Sequence, residues 1–282
     1  MHKFTLELLF QIIGIGSASG LLHRENALFL ISDNSSVLYE YNIQNEQLDT
    51  YPLLEGAADP AKQKNIPKKI KPDFESIAVF GEDCYIFGSG STENRNKMVH
   101  FNTNTKEKVA EVDVTDLYLV MQNFGNIKAD EFNIEGAIYT GEKWFLFNRG
   151  NGESRKNGIF TVSGKNLTDD FSVLYNSYTL PAIKGIQSSF TDAVQVRDKI
   201  YFLSTVENTA STYEDGIVYG SFIGRIDIEK MKIDFTQKIS SKHKFEGLSV
   251  YTEEEKSIEF YLCEDNDTNT LESNIYKLTI AK

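Results

Sequence analysis

Five positions carry oxygen-bearing side chains at nearly even intervals: Ser19, Glu75, Glu135, Thr191 and Glu246, spaced 56, 60, 56 and 55 residues apart. Three carboxylates and two hydroxyls, with Asp192 beside Thr191, form an all-oxygen set. Carboxylates brought to one point repel unless protonated or bridged by a cation. The set has no His or Cys, so a hard ion is expected, Ca²⁺ over Mg²⁺, because a wide ring tolerates loose geometry. The same glutamates could instead accept hydrogen bonds from backbone amides of neighbouring units. The residues alone leave both readings open.

A polar stretch follows each position: SDNSS (32–36), GSGSTENR (88–95), NRGNGESRKN (148–157), STVENTASTYEDG (204–216) and CEDNDTNTLES (263–273). Asp33 and Glu207 are candidates to orient or deprotonate a water. Arg149 is the candidate for stabilising charge on a transferring group, with Arg95 in support. The run Arg149-Gly-Asn-Gly would offer a guanidinium and backbone amides to a phosphate. Arg95, Arg155, Lys156, Asp215 and Asp265 are the expected substrate-binding residues, and Tyr213–Gly216 the expected lid or wall. Each of these also reads as an ordinary solvated loop.

The elements that must position these residues form a repeat. The stretches 17–34, 73–91, 133–151, 189–208 and 244–267 each show a polar step, often Glu-Gly, then an alternating strand, a turn and a second apolar strand. A third strand follows in every unit (VLYEYNI, MVHFNTN, GIFTVSG, SFIGRIDI, NIYKLTI) and a fourth in four of them. Four strands per unit of this length is a propeller blade. The fifth unit ends after its third strand, and HKFTLELLFQI (2–12) can supply the fourth. The expected fold is therefore all-β: one five-bladed β-propeller spanning 1–282, closed by the N-terminal strand. In a propeller the first strand of each blade lines the central channel. The five positions then converge on the axis, and the polar stretches ring one mouth. Glycine after Glu135 and Glu246 fits close backbone approach there. The stretch 56–72, with lysines at 62, 64, 68, 69 and 71, reads as a solvated basic loop between the first two blades.

Composition removes several classes. The 282 residues carry 29 Lys and Arg against 41 Asp and Glu, a net charge of −12. Such a balance argues against binding nucleic acid or an anionic membrane surface. No run of 18 apolar residues exists, so no membrane span is expected. The two cysteines, Cys84 and Cys263, make no disulfide framework or zinc spacing and read as core residues. Residues 1–18 have a charged start, an apolar stretch and a small-residue end, the layout of an export signal. Glu7 and Gln11 interrupt it, and a closing strand favours an intact, cytoplasmic chain, with export as the alternative. The EDNDTNTLE run lacks the glycine and the twelfth-position carboxylate of an EF-hand loop. The glycines at 14, 16 and 20 miss the dinucleotide spacing. His23 and His243 could neighbour the channel entrance but are weak candidates as bases.

The series Ser19, Glu75, Glu135, Thr191, Glu246, in the contexts FESIAV, IEGAI, SSFTDA and KFEGLSV, resembles the central ion site of the soluble calcium-activated nucleotidases, the five-bladed apyrases. More distantly the chain resembles phytase-like and esterase-like propellers. The nucleotidase resemblance implies one Ca²⁺ held by those five residues, with Thr191 in place of a serine. It also implies a small phosphorylated substrate handled by Arg149 and acidic residues such as Asp33 and Glu207. The expected function is thus a calcium-binding propeller acting as a phosphoester or phosphoanhydride hydrolase at the channel mouth. A glycosidase would instead need two carboxyls about 5–5.5 or 6.5–9.5 Å apart with no metal between them. A binding module with a structural calcium is the third reading. The sequence leaves the oligomeric state open.

Overall fold

The computed structural model describes residues 3–54, 63–164, 166–209, 211, 216–265 and 270–282. Strand β1 (Phe4–Ile13) is followed by the first blade, β2 (Ala18–Arg24), β3 (Ala27–Ser32), β4 (Val37–Asn42) and β5 (Leu48–Pro52). The second blade is β6 (Phe74–Phe80), β7 (Asp83–Gly88), β8 (Lys97–Asn102) and β9 (Glu107–Asp113). Helix α1 (Thr115–Gly125) leads to the third, β10 (Ile134–Tyr139), β11 (Lys143–Asn148), β12 (Asn157–Gly164) and β13 (Phe171–Tyr178). A small hairpin, β14 (Ala182–Ile183) and β15 (Ile186–Gln187), precedes the fourth, β16 (Ser189–Val196), β17 (Lys199–Asn208), β18 (Ile217–Asp227) and β19 (Lys232–Lys238). The last blade is β20 (Phe245–Glu253), β21 (Ser257–Glu264) and β22 (Glu272–Ala281), completed by β1.

Every blade is a four-stranded antiparallel meander, and the fifth is ordered β20–β21–β22–β1. The ring closes as expected: β1 runs antiparallel to β22, with Phe4 opposite Ile280 and Leu6 opposite Leu278. This pairing covers the outer edge of β22 and joins the two ends of the chain in one blade. Inner strands are buried, whereas outer strands alternate; β9 reads exposed and half-buried in turn along Glu107–Asp113. The core lies between neighbouring blades, where facing sheets interdigitate. One cluster joins Phe87, Trp144, Leu146 and Phe160 across the second and third blades. Cys84 and Cys263 are buried thiols in such layers; burial pushes Cys84 up to about 12.

The sequence pattern did not anticipate α1. It buries Leu117, Tyr118 and Met121, residues at helical spacing, against the cluster between the second and third blades. The Tyr118 hydroxyl donates to the Gly88 carbonyl at 2.7 Å. Among the described residues no helix is long and apolar enough to cross a membrane.

Candidate metal centre

The five aligned positions are structurally equivalent in a way that spacing alone does not reveal. Each inner strand breaks register with its neighbour at that residue: between Ala18 and Gly20, Phe74 and Ser76, Ile134 and Gly136, Phe190 and Asp192, and Phe245 and Gly247. The residue skipped is Ser19, Glu75, Glu135, Thr191 or Glu246. A bulge leaves its residue out of the ladder and re-aims the side chain. In the fifth blade the following glycine is required, because a Cβ on Gly247 would lie 2.3 Å from Cys263 Sγ and 2.8 Å from Leu21 Cβ.

The two hydroxyls bridge blades. Ser19 Oγ donates to the Phe74 carbonyl at 2.6 Å, and Thr191 Oγ1 donates to the Phe245 carbonyl at 2.7 Å. Asp192 also bridges, accepting from the backbone N–H groups of Ala193 and Leu248 at 2.7 and 2.6 Å. The three glutamates are buried in the channel with other partners. Glu135 Oε1 accepts from Asn133 Nδ2 at 2.6 Å and from Arg149 Nη1 at 3.0 Å. Glu246 Oε1 lies 3.3 Å from Arg149 Nη1 and 3.2 Å from Lys244 Nζ. Glu75, although 8% exposed, makes no hydrogen bond to any described residue.

The remaining charges come from two further sets of equivalent positions. Two residues before each bulged residue stand Ser17, Asp73, Asn133, Ser189 and Lys244. Backbone bonds tie four of these to the end of the second strand: Asp33 N–H to Ser17, Ser89 N–H to Asp73, Arg149 N–H to Asn133 and Asp265 N–H to Lys244. Ser189 faces Thr205 in the same way. The repeat therefore delivers Asp33, Asp73, Arg149, Lys244 and Asp265 to one mouth. The Asp73 N–H donates to the Asp33 carbonyl at 3.2 Å, and Asp73 is held in the left-handed region at φ 56°. Aspartate tolerates that region better than most residues.

Two linked networks result. In the first, Lys71 Nζ bonds Asp33 Oδ2 and lies 2.7 Å from Asp73 Oδ1. Arg95 Nη1 donates to Asp73 Oδ2 at 2.8 Å. In the second, Arg149 is shared by Glu135, Glu246 and Glu207, the last at 2.7 Å, and Lys244 joins Glu246 to Asp265 at 2.9 Å. Among the described residues of these networks and Glu75, seven carboxylates face four cations, a surplus of negative charge. The titration directions agree. Burial pushes Glu75 well above the carboxylate range, and the charges of Glu135, Asp73 and Asp33 push it further. Burial also raises Glu246, Glu135 and Asp33 despite their basic partners. Burial opposes the charge of Arg149, but Glu135, Glu207 and Glu246 more than offset it.

One carboxylate oxygen each from Asp33, Asp73 and Glu75 lie within 4.8 Å of one another. Such spacing fits a hard cation with oxygen ligands at about 2.3–2.6 Å. Buried polar atoms left without hydrogen bonds gather at the same mouth: Asp33 Oδ1, Glu135 Oε2, and Nε of both Arg95 and Arg149. A buried polar atom without a partner is costly. These residues suit a bound ion, and Lys71 is the group that would have to move for it.

Residues 14–280 match the model of a protein family described as of unknown function, DUF6929. The chain belongs to this family. No curated protein matches the DUF6929 chain. Among solved structures it is similar to the major Malassezia sympodialis allergen Mala s 1, at 9% identity and a TM-score of 0.53, covering 98% of this chain and 96% of that one. It is similar to the PQQ-bound aldose sugar dehydrogenase of Streptomyces coelicolor at 10% identity and a TM-score of 0.52, covering 99% of each. It also matches Kuenenia stuttgartiensis hydrazine synthase at 11% identity and a TM-score of 0.44, over 90% of this chain, and spans 57% of that chain's length. At these identities the likeness shows the fold alone. None of the three is a nucleotidase.

The sequence-derived site residues of the DUF6929 chain are dispersed in part. Asp33, Arg95, Arg149, Glu207 and Asp265 do gather with Glu75, Glu135 and Glu246. Glu207 accepts from the Gly216 N–H at 2.7 Å as well as from Arg149. Arg155 bonds the Thr209 carbonyl and Lys156 the Asn126 carbonyl, so both tie loops together. Asp215 and residues 213–214 of the expected lid lie outside the described residues. His243 Nδ1 meets Glu264 Oε1 at 2.5 Å beside the mouth, whereas His23 lines a cavity formed by the inner strands on the side away from it. The expectation of a solvated basic loop at 56–72 fails at its end: Lys71 is 7% exposed. Asp73 and Lys244 were missed altogether, and Lys71 was read only as a loop lysine. Reading the repeat two residues upstream of each aligned position would have found Asp73 and Lys244.

Proposed function

We propose that the propeller binds a divalent hard cation, calcium foremost, between Asp33, Asp73 and Glu75, and that the mouth around it hydrolyses a small phosphate ester or anhydride. The observation carrying the first half is the cluster of three carboxylate oxygens within 4.8 Å in a mouth where acids outnumber bases. That spacing supports a shared ion over a glycosidase pair. When bound, the ion would supply charge neutralisation and polarisation of a phosphoryl oxygen.

The chain's own residues would then divide the work. Lys71, displaced from Asp33 and Asp73, is the mobile cation closest to the ion and is available to a phosphate oxygen. Arg149 already serves three glutamates through Nη1 and Nη2, so its role is to hold them in place rather than to grip substrate. Glu207, locked between Arg149 and the Gly216 amide, orients rather than deprotonates. Asp33, with one oxygen free of hydrogen bonds, is the better candidate to orient an attacking water. The pairing of Lys71, Arg95, Arg149 and Lys244 with acids also supports a second reading, in which the ion only pins the first two blades together.

Calcium-dependent release of phosphate from a panel of nucleotides and sugar phosphates separates the two. Turnover that is lost on chelation and in Asp33→Asn supports hydrolysis. Calcium binding without turnover on the whole panel supports the pin. Lys71 gives a further test, because its ammonium and the ion compete for the same oxygens. Lys71→Gln is expected to bind calcium about tenfold more tightly than the wild type, a difference of about 1.4 kcal/mol. Equal or weaker binding by calorimetric titration would remove Lys71 from the site.

A further inference from the structure

The inner strands form a second chamber that the cation reading does not use. One and two steps of the two-residue strand period beyond the bulged residues, all five blades line a cavity of about 490 Å³. Its wall nearer the acids is aliphatic, formed by Leu21, Ile77, Ala137, Ala193 and Leu248. Four of these, Leu21, Ala137, Ala193 and Leu248, are at most 4% exposed and form the waist of the channel. The cavity continues past Val79, Tyr139, Val194 and Val250 and opens where Val79 and Phe80 are 36% and 50% exposed. A cavity of this size, apolar and common to every blade, falls in the range of small-molecule sites.

Its polar side chains are His23, Tyr139, Thr140, Gln195, Arg197 and Ser249, contributed by four of the five blades. Gln195 donates its Nε2 to the Arg197 carbonyl at 2.7 Å. Arg197 lines the cavity and binds Glu253 through Nε, at 3.0 Å, with a side chain 74% exposed. His23 Nε2 pairs with the Glu25 carbonyl at 2.9 Å, and its ring packs edge-on against Tyr261. Tyr139 and Thr140 donate their hydroxyls to the Gly141 and Lys143 carbonyls, Ser249 Oγ accepts from the His23 N–H, and among the described residues no carboxylate lines the cavity. In a chain of net charge −12, a chamber walled largely by hydrocarbon and bordered by one guanidinium selects for a particular chemistry.

We propose that this chamber binds a small amphiphilic monocarboxylate, its aliphatic body in the chamber between Ile77, Val79, Val194 and Val250 and its carboxylate on Arg197. The hydrocarbon supplies most of the affinity through burial. The guanidinium supplies orientation through a charge-assisted hydrogen bond. The site is separate from the acidic mouth, because the aliphatic waist lies between them, so its occupancy does not depend on calcium.

Titration of the full chain with decanoate, in chelator and again in calcium, tests this. Saturable binding of decanoate is expected in both conditions. Val79→Trp, which fills the chamber from an exposed position outside the blade cores, is expected to weaken it at least tenfold. Arg197→Gln is expected to weaken decanoate but leave decanol unchanged. Thermal unfolding of both variants confirms that they fold. No saturable binding by the wild type, or equal binding by Val79→Trp, overturns the chamber. Equal binding of decanoate by Arg197→Gln overturns the assignment of the head group.

Discussion

Replacing Arg149 with methionine is expected to cost about 3–5 kcal/mol of stability, the largest effect of any single change in the channel. The guanidinium is 5% exposed and meets three carboxylates from three blades, Glu135, Glu207 and Glu246. Methionine fills much of the volume but leaves three buried acids without their shared cation. Removing one partner of a buried ion network strands the others at full desolvation cost. Arg149→Lys keeps the charge but loses the fork that reaches Glu207 and Glu135 at once, so an intermediate loss is expected. A second change, Glu207→Gln, recovers part of the loss in Arg149→Met, because one stranded charge is gone. Denaturant unfolding of the single and double variants measures this directly. Independent, additive losses would contradict the network.

The opposite result is expected at Glu75. Without divalent cations, Glu75→Gln is more stable than the wild type at neutral pH by about 1–3 kcal/mol, since it removes a buried carboxyl that has no hydrogen-bond partner and must take up a proton to stay buried. For a chain of this size each kcal/mol is worth roughly 2–4 °C in Tm. The pH dependence has a definite sign. Burial first, and then Glu135, Asp73 and Asp33, raise the Glu75 carboxyl well above its ordinary value of 4.5. The folded chain then holds a proton that the unfolded chain gives up. Its stability falls as pH rises from about 4.5 toward the raised value. The advantage of Glu75→Gln therefore grows over that window and vanishes below it. Calcium reverses the order, because the ion stabilises only the wild type. A variant less stable than the wild type in chelator at pH 7 would contradict this account of Glu75.

The fold was legible because a propeller repeats its punctuation. Five polar steps before five alternating strands identify five blades, and the unpaired N-terminal strand identifies the closure. Helix α1 was hidden because only Leu117, Tyr118 and Met121 mark its buried face, too few residues to stand out between two blades. The site was half legible. Aligned spacing found the bulged residues and read Ser19 and Thr191 as ligands, but type alone gave no direction and did not show that their hydroxyls donate to carbonyls of the next blade. Arg149 read as a substrate group because its three carboxylate partners lie 14, 58 and 97 residues away in sequence. Lys71 read as solvated because it ends a stretch with lysines at 62, 64, 68 and 69. Only the return of the chain over Asp33 buries it.

Calorimetric titration of the metal-free chain with calcium tests the central claim most directly, run beside Glu75→Gln, Asp73→Asn and Thr191→Val. The account predicts one saturable site in the wild type. It predicts loss of that site in Glu75→Gln and Asp73→Asn and retention in Thr191→Val, whose hydroxyl only bridges blades. Saturating calcium at roughly 100 times its dissociation constant should also add about 2.7 kcal/mol of stability. A wild type that binds no calcium, or binding that survives Glu75→Gln and disappears in Thr191→Val, would contradict the site formed by Asp33, Asp73 and Glu75.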